Sequence, residues 1–129
     1  MVTYGLPQNP MLILQLIFQL SREIMELPNL HYIKELSGGD ADFEKKLLDV
    51  IKAEFPQERK TYLENLENAD YLKVAENVHK LKHKISILGL EKSYELARKF
   101  EEELREGKTH SKELFNQVLD TISKFIAEN

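Results

Sequence analysis

The stretch that decides the fold, residues 77–89, has the sequence NVHKLKHKISILG. In an α-helix with 3.6 residues per turn, residues three, four and seven positions apart lie on the same side. One side is apolar and is expected to face a core; it carries Leu81, Ile85 and Leu88. Another side is polar and is expected to face water; it carries His79, Lys82, His83 and Ser86. The segment therefore predicts an amphipathic helix with a histidine on its outer surface.

The rest of the chain has the same helical periodicity, and runs of alternating β-branched residues are missing from the sequence. Glycines and prolines cluster between the periodic stretches, where helices end. Helices are predicted over residues 10–26, 30–36, the stretch between Asp40 and Asn68, and residues 71–88, 91–106 and 112–127. Long helices joined by short turns predict an all-α fold, an antiparallel four-helix bundle with one or two additional N-terminal helices.

Individual residues predict where these helices begin, bend and end. Asp40 and Ser111 are expected to cap the helices that follow them, and Gly89 to end the helix before it. Pro56 is expected to kink the longest helix near Phe55, because proline interrupts the backbone hydrogen bonds of a helix. The residues predicted to face the core are Phe43, Leu47, Val50, Ile51, Phe55, Tyr62, Leu63, Leu66, Leu72, Ala75, Val78, Leu81 (or Lys82), Ile85, Leu88, Tyr94, Ala97, Phe100, Leu104, Leu114, Val118, Ile122 and Phe125.

Length and composition exclude several classes of protein. The 129 residues suit one domain, and the absence of cysteine from the sequence excludes disulfide scaffolds, thiol nucleophiles and zinc–thiolate sites. The net charge of −4 argues against a general nucleic-acid binder, which needs a basic surface. The longest apolar stretch, residues 11–20, is too short to cross a bilayer and lacks the flanks of a signal peptide. We therefore expect a cytoplasmic protein that inserts into no membrane.

The predicted helix at residues 10–26 carries an apolar stripe from Leu12 to Ile24. A large exposed apolar surface is unusual on a monomer. Three interpretations stay open: the stripe covers the bundle, forms a dimer contact, or belongs to an upstream extension. We expect a monomer, with a dimer through this helix as the alternative. We divide the chain into an N-terminal extension, residues 1–29, and a bundle domain, residues 30–129.

His79 stands among three lysines, Lys80, Lys82 and Lys84, in a chain that is acidic overall. Histidine side chains have an ordinary pKa of about 6.5, so near neutral pH an imidazole is mostly an available nucleophile. Nearby ammonium groups favour its neutral form and attract a negatively charged phosphoryl group. This combination indicates a histidine that accepts a phosphoryl group and passes it on.

Three further patterns accompany this histidine. In the first, residues 79–82 read His-Lys-Leu-Lys, and Leu88-Gly89 follows at the end of the same helix. In the second, residues 32–40 read YIKELSGGD. In the third, Leu90-Glu91 leads into a helix that contains residues 96–101. Together they resemble the histidine-containing phosphotransfer (HPt) domain of bacterial multistep phosphorelays. That family's pattern is His-x-Leu-Lys-Gly, with a Leu-Gly pair that closes the same helix. The resemblance covers about residues 30–127.

The resemblance implies a role for each residue of the site. His79 is the implied phosphoacceptor, through Nε2, and Lys82 the group that neutralises the phosphoryl charge. The further candidates for phosphate contact or docking are Lys80, His83, Lys84 and Ser86. The implied partners are receiver domains, whose own acidic residues hold magnesium, and no cofactor is implied for this chain.

The implied function is that of a phosphorelay intermediate. Such a protein accepts a phosphoryl group from a receiver's aspartyl phosphate and passes it to an aspartate of another receiver. The sequence has no ATP-binding motif, so we expect no ATP-dependent kinase activity of its own.

His83 occupies the position where the family has glycine. The glycine leaves room for a docking receiver, so His83 would crowd His79, add a second polar contact to the phosphate, or turn aside. His83 is also a rival acceptor, but Ser86 would then stand where the lysine belongs, and we prefer His79. If His83 blocks access, the alternative function is a helical adaptor that binds a receiver or sensor kinase without phosphotransfer.

A metal site is a further alternative for the same helix. His79 and His83 have the i, i+4 spacing of a metal-binding pair, and Glu76 precedes His79 by three residues, as in di-iron bundles. Such bundles need a second Glu-x-x-His, which the sequence lacks, and the lysines repel a cation. We therefore predict no metal site, and we assign no role to His31 or His110.

Overall fold

The structure is a computed structural model that describes residues 8–24 and 26–129, and for residues 19–24 the backbone only. This part of the chain contains six α-helices and no strand. The helices are α1 (Pro10–Ile24), α2 (His31–Ser37), α3 (Ala41–Glu67), α4 (Tyr71–Ile87), α5 (Glu91–Arg105) and α6 (Lys112–Glu128). The predicted all-α class is confirmed.

Helices α3 to α6 form the bundle. Helix α4 packs between α3 and α5, α6 packs against α5 and α3, and the short α2 packs on α3. Short turns join the four long helices, so neighbours along the chain run antiparallel. The largest fully buried side chains are Tyr62, Phe55, Phe100, Phe115, Ile33, Ile51, Leu81, Ile85, Leu88, Leu90, Leu104 and Leu119. This core confirms the predicted helical bundle with additional N-terminal helices.

The capping signal at the start of α3 agrees with the structure. Oδ1 of Asp40 accepts hydrogen bonds from the backbone N–H groups of Asp42 (3.0 Å) and Phe43 (3.1 Å), as a capping residue does. Pro56 lies inside α3, which continues on both sides of it as expected, and the kink near Phe55 stays a prediction. All predicted helix ends lie within two residues of the observed ones.

Ser111 occupies the N-cap position of α6, as predicted, but the predicted capping bond from its side chain is wrong. The Ser111 side chain makes no capping bond to α6. Its hydroxyl donates to Oε2 of Glu103 and its backbone N–H donates to Oε1, each at 2.9 Å. Glu103 is buried on α5, so its carboxylate fastens the start of α6 to the preceding helix. A capping side chain accepts a hydrogen bond from a backbone N–H of the first turn, whereas the Ser111 hydroxyl is oriented to donate to the carboxylate of the neighbouring helix.

The predicted inner faces need correction at several positions. Four residues predicted to face the core are exposed: Phe43, Val50, Leu63 and Leu72. They lie at the margins of the apolar stripes, and helical periodicity does not tell how far a neighbouring helix covers such a margin. Conversely, Phe115 and Leu119 are buried although they were not predicted. Since Val118 and Ile122 are buried as predicted, the buried face of α6 is rotated by only about half a residue from the predicted one.

The segment between α1 and α2 crosses the turn between α4 and α5. The backbone N–H of Asn29 donates to the carbonyl of Leu88 at 2.9 Å, and Oε1 of Glu26 accepts from the backbone N–H of Ser93 at 2.9 Å. Gly89 has a φ of +74°, and an added Cβ there would lie 2.5 Å from Nδ2 of Asn29. A glycine is required for both reasons, and the crossing segment holds the end of α4 in place.

Helix α1 exposes most of its described apolar side chains. The exposed ones are Met11, Leu12, Leu14, Ile17 and Phe18. The interpretation that the stripe covers the bundle is therefore wrong for these side chains, and the dimer contact and the upstream extension stay predictions. Residues 1–7 of the predicted extension, and the side chains of Leu20 and Ile24, lie outside the described residues. Among the described helices, none is long and apolar enough to span a membrane.

Candidate functional site

His79 stands on the outer surface of α4, as the sequence predicts. Its neighbours Val78 and Leu81 are fully buried and fix this turn of the helix against the core. The His79 side chain is 52% exposed. Its Nδ1 lies 3.0 Å from Oε1 of Glu101, which belongs to the adjacent helix α5. The ring is thus open to water on one side and held by a carboxylate on the other.

Glu101 is the centre of this site. Its side chain is only 11% exposed, and it meets three basic groups. Besides His79, Nζ of Lys82 donates to Oε2 at 3.1 Å, and Nη2 of Arg105 donates to Oε1 at 3.2 Å. Burial raises the pKa of Glu101. The hydrogen bonds from Lys82 and Arg105 and the positive charges of Lys82 and His79 lower this pKa by a larger amount. The net pKa lies below the usual value, so Glu101 is ionised at neutral pH.

The negative charge of Glu101 determines which ring nitrogen of a neutral His79 carries the proton. An ionised carboxylate can only accept hydrogen bonds, so Nδ1 of a neutral His79 carries the proton that faces it. Nε2 then has a free lone pair on the other edge of the ring. The arrangement thus leaves the nucleophilic nitrogen of His79 unprotonated and directed away from Glu101.

Lys82 is less exposed than its place on the polar side of α4 predicts. Its side chain is 12% exposed, because Glu101 binds its ammonium group and the ring of Tyr94 lies 5.5 Å from Nζ. Both partners belong to α5, and the ring adds a cation–π contact to the ion pair. A cation is therefore fixed within one helical turn of His79.

A cleft of about 350 Å³ opens beside His79. Its walls are formed by Glu76, His79, Lys80, Glu101 and Arg105. Two of these side chains are basic, besides the histidine, and the cleft is open to solvent. This space can admit an anionic group of the size of a phosphate next to the imidazole.

The other residues that the sequence predicts for phosphate contact or docking lie at different distances from His79. The ring of His83 meets that of His79 edge to face, with centroids 5.3 Å apart and planes at 88°. Lys80 is exposed beside the cleft, and Ser86 is exposed further along α4, where it lines a separate cleft with Tyr94. The structure therefore brings Lys82 and His83 to His79 and leaves Ser86 apart.

Lys84 lies on the other flank of α4, against α3. Its ammonium group donates to Oε2 of Glu54 at 2.6 Å and to Oε1 of Glu58 at 2.8 Å. Burial lowers the pKa of Lys84, but the hydrogen bonds and charges of both glutamates raise it, and the net pKa is above the usual value. Lys84 thus joins α3 to α4, and its side chain points away from His79.

Sequence analysis missed Glu101 and Arg105. Glu101 is four residues after Ala97 and three before Leu104, both buried, so it lies on the inner side of an amphipathic helix. A carboxylate at such a position signals a buried partner, and Arg105 follows it by four residues. In the described residues, no group of three or more histidine, aspartate and glutamate side chains is arranged to hold a metal ion.

Comparison with protein families matches residues 46–128 to the Hpt domain. The matched part includes most of α3 and all of α4, α5 and α6, and therefore both His79 and Glu101. Searches of the curated proteins and of the solved structures found no match. Hpt domains carry out histidine phosphotransfer in phosphorelays and interact there with receiver domains. Since the match covers more than half of the chain and its helices form the bundle, the chain belongs to the Hpt domain family.

Proposed function

We propose that this protein is a phosphorelay intermediate that carries a phosphoryl group on His79 between aspartates of two receiver domains. The observation that carries the proposal is the pair formed by His79 and Glu101. The carboxylate holds Nδ1 of a half-exposed imidazole at 3.0 Å, which leaves Nε2 as a nucleophile facing water. A surface histidine without such a partner would have neither a fixed orientation nor a fixed tautomer.

The proposed reaction is a direct displacement at phosphorus. The lone pair of Nε2 on His79 attacks the phosphorus atom of the aspartyl phosphate, and an N–P bond forms. The bond between phosphorus and the aspartyl oxygen breaks, and the aspartate leaves as a carboxylate. The proton on Nδ1 stays between His79 and Glu101, which stabilises the positive charge that develops on the ring. Attack by an aspartate of a second receiver reverses these bond changes.

Lys82 supplies positive charge for the phosphoryl group. It lies one turn along α4 from His79 and is held by Glu101 and Tyr94, so its position is set before the substrate arrives. A cation in a fixed position costs little reorganisation during the reaction. Arg105 shares Oε1 of Glu101 with His79 and borders the cleft beside it, so we assign it a supporting role.

We keep the proposed division of the chain into an extension, residues 1–29, and a phosphotransfer domain, residues 30–129. The bundle supports the second part, and the contacts of Glu26 and Asn29 fasten the end of the extension to the turn after α4. Lys80, His83, Lys84 and Ser86 stay candidates for receiver contact. Among them, Lys84 has the least support, because both of its glutamate partners belong to α3.

The test uses the full chain with two phosphoryl donors. A receiver domain with radiolabelled aspartyl phosphate tests the partner class, and the small molecule phosphoramidate tests the reactivity of the histidine alone. The protein is expected to take the label from both, in the acid-labile, base-stable form of a phosphohistidine. His79→Gln is expected to remove the label, whereas His110→Gln, which changes an exposed histidine outside the site, is expected to keep it.

Equal labelling of His79→Gln and the parent protein would show that His79 is not the acceptor. Binding of the receiver without any transfer of label would instead favour the adaptor. The variant His83→Gln separates the two histidines of α4, because loss of label in this variant alone would make His83 the acceptor.

A further inference from the structure

His83 is the ionisable group that stands against the reactive ring on the solvent side. It lies one turn after His79 on α4, and its exposed ring meets the His79 ring edge to face at 5.3 Å. Within the described part of the chain, no hydrogen bond or ion pair holds the His83 side chain. Its imidazole is therefore free to turn towards a charge that is placed beside it.

The charges near this pair come from three helices. Helix α4 contributes Glu76, Lys80, Lys82 and Lys84, helix α5 contributes Tyr94, Glu101 and Arg105, and helix α3 contributes Glu54 and Glu58. Most of these groups are already paired with one another, Lys82 and Arg105 with Glu101, and Lys84 with the two glutamates of α3. Among the described residues, Lys80 and His83 are the exposed side chains next to His79 that have no such pairing and can carry positive charge.

Phosphorylation of His79 changes this balance. A phosphoryl group on Nε2 adds a charge of about −1.5 to −2 at neutral pH, and Glu101 already occupies the other nitrogen of the ring. The phosphoryl group then lies beside His83, because the centroids of the two rings are 5.3 Å apart. An anion at this distance favours the protonated form of an imidazole.

We propose that His83 is a second phosphate-binding side chain, whose imidazolium pairs with the phosphoryl oxygens on His79. The inference rests on the proposed function, since it requires a phosphoryl group on His79. The phosphorylated site binds one more proton than the free site, taken from water, and no other bond changes. The free energy of the phosphohistidine is therefore lowered as the pH falls through the range in which imidazole titrates. At lower pH, the equilibrium between phosphorylated receiver and phosphorylated His79 shifts towards His79.

The test is NMR of the histidine ring signals of the full chain before and after treatment with phosphoramidate. The signals of His83 are assigned by their loss in His83→Gln, and each sample is titrated from about pH 5 to pH 8. Phosphorylation is expected to raise the proton affinity of His83 about tenfold, the lower end of the effect of an opposite charge, because the ring is exposed. In His79→Gln, the same treatment is expected to leave the titration of His83 unchanged.

Two results separate this inference from the proposed function. If phosphoramidate labels His79 and the titration of His83 stays the same, the phosphate-binding role of His83 is overturned and the phosphotransfer role stands. If His79 takes no phosphoryl group, the proposed function is overturned and this inference with it. His83 is exposed, so the variant His83→Gln is expected to fold, and the unchanged signals of His31 and His110 verify this.

Discussion

Replacement of Glu101 by glutamine is the perturbation that separates the geometry of the site from the stability of the bundle. The amide has the shape of the carboxylate but not its charge. An oxygen and an NH₂ group replace the two carboxylate oxygens, and the NH₂ group accepts no hydrogen bond and repels the cation that faces it. The variant therefore removes the group that fixes the tautomer of His79 and the position of Lys82.

The structure gives the size of the expected losses. His79 and Arg105 are each about half exposed and can turn to water, whereas Lys82 is 12% exposed and cannot do so without moving. The free energy of unfolding is therefore expected to fall by the contribution of one charged hydrogen bond, about 1.5–3 kcal/mol, and not by that of three. Loss of the hydrogen-bond partner that orients a metal-binding histidine costs about 10–100-fold in affinity or activity, and the same kind of orientation is lost here. We expect a reduction of that size in the rate at which phosphoramidate labels Glu101→Gln.

The assay measures the rate of labelling and the free energy of unfolding in urea, for this variant and for Glu103→Gln. Glu103 is a buried glutamate of the same helix, but its partner is Ser111 at the start of α6. The control is expected to lose stability and to keep the labelling rate. If Glu101→Gln labels at the parent rate, or if both variants slow labelling equally, the reasoning about the tautomer of His79 is refuted.

Three further changes test other parts of the structure. Lys82→Ala is expected to slow labelling from a receiver about tenfold, in line with the loss of a fixed cation next to the phosphoryl group, and an unchanged rate would contradict its role. Gly89→Ala is expected to lower the free energy of unfolding in urea by about 1–3 kcal/mol, because φ is +74° and the new Cβ would collide with Asn29; a stability equal to that of the parent would contradict this. Lys84→Met is expected to destabilise the bundle by about 1–3 kcal/mol at neutral pH, since it leaves two glutamates of α3 without their cation. Because the pKa of Lys84 is raised in the folded state, its contribution is complete below the usual lysine value and is lost as the pH rises through the raised pKa, so the difference from the parent should shrink only at strongly alkaline pH.

The pKa of Glu101 gives the opposite dependence on pH. It is lowered in the folded state, so its contribution to stability is complete above the usual value for glutamate and is lost as the pH falls through the lowered pKa. The difference in unfolding free energy between the parent and Glu101→Gln is therefore expected to be constant near neutral pH and to shrink below about pH 4.3. A difference that grows on acidification would contradict the assignment of an ionised Glu101.

The positions of the helices followed from local signals in the sequence. Asp40 accepts the capping bonds it was predicted to accept, and Gly89 adopts the positive φ that ends α4. Such signals act within a few residues, so a single sequence contains them in full. His79 was placed on the outer side of α4 by periodicity alone, and its exposure agrees with that placement.

The contacts between helices did not follow in the same way. Glu101 lies 22 residues from His79 along the chain, and its hydrogen bond depends on how α5 packs on α4. Ser111 looks like a cap in sequence, but its hydroxyl binds Glu103 of the neighbouring helix. Leu72 fits the apolar stripe of α4, yet it is exposed because no neighbour covers that margin among the described residues. In each case the deciding partner is brought close by tertiary packing, which periodicity does not encode.

The most direct measurement of the central claim is NMR of the phosphorylated protein with ¹⁵N-labelled histidines, which identifies the nitrogen bonded to phosphorus. We expect the coupling to phosphorus at Nε2 of His79, with Nδ1 still protonated and hydrogen-bonded to Glu101. Coupling at Nδ1 of His79, or at either nitrogen of His83, would contradict the account.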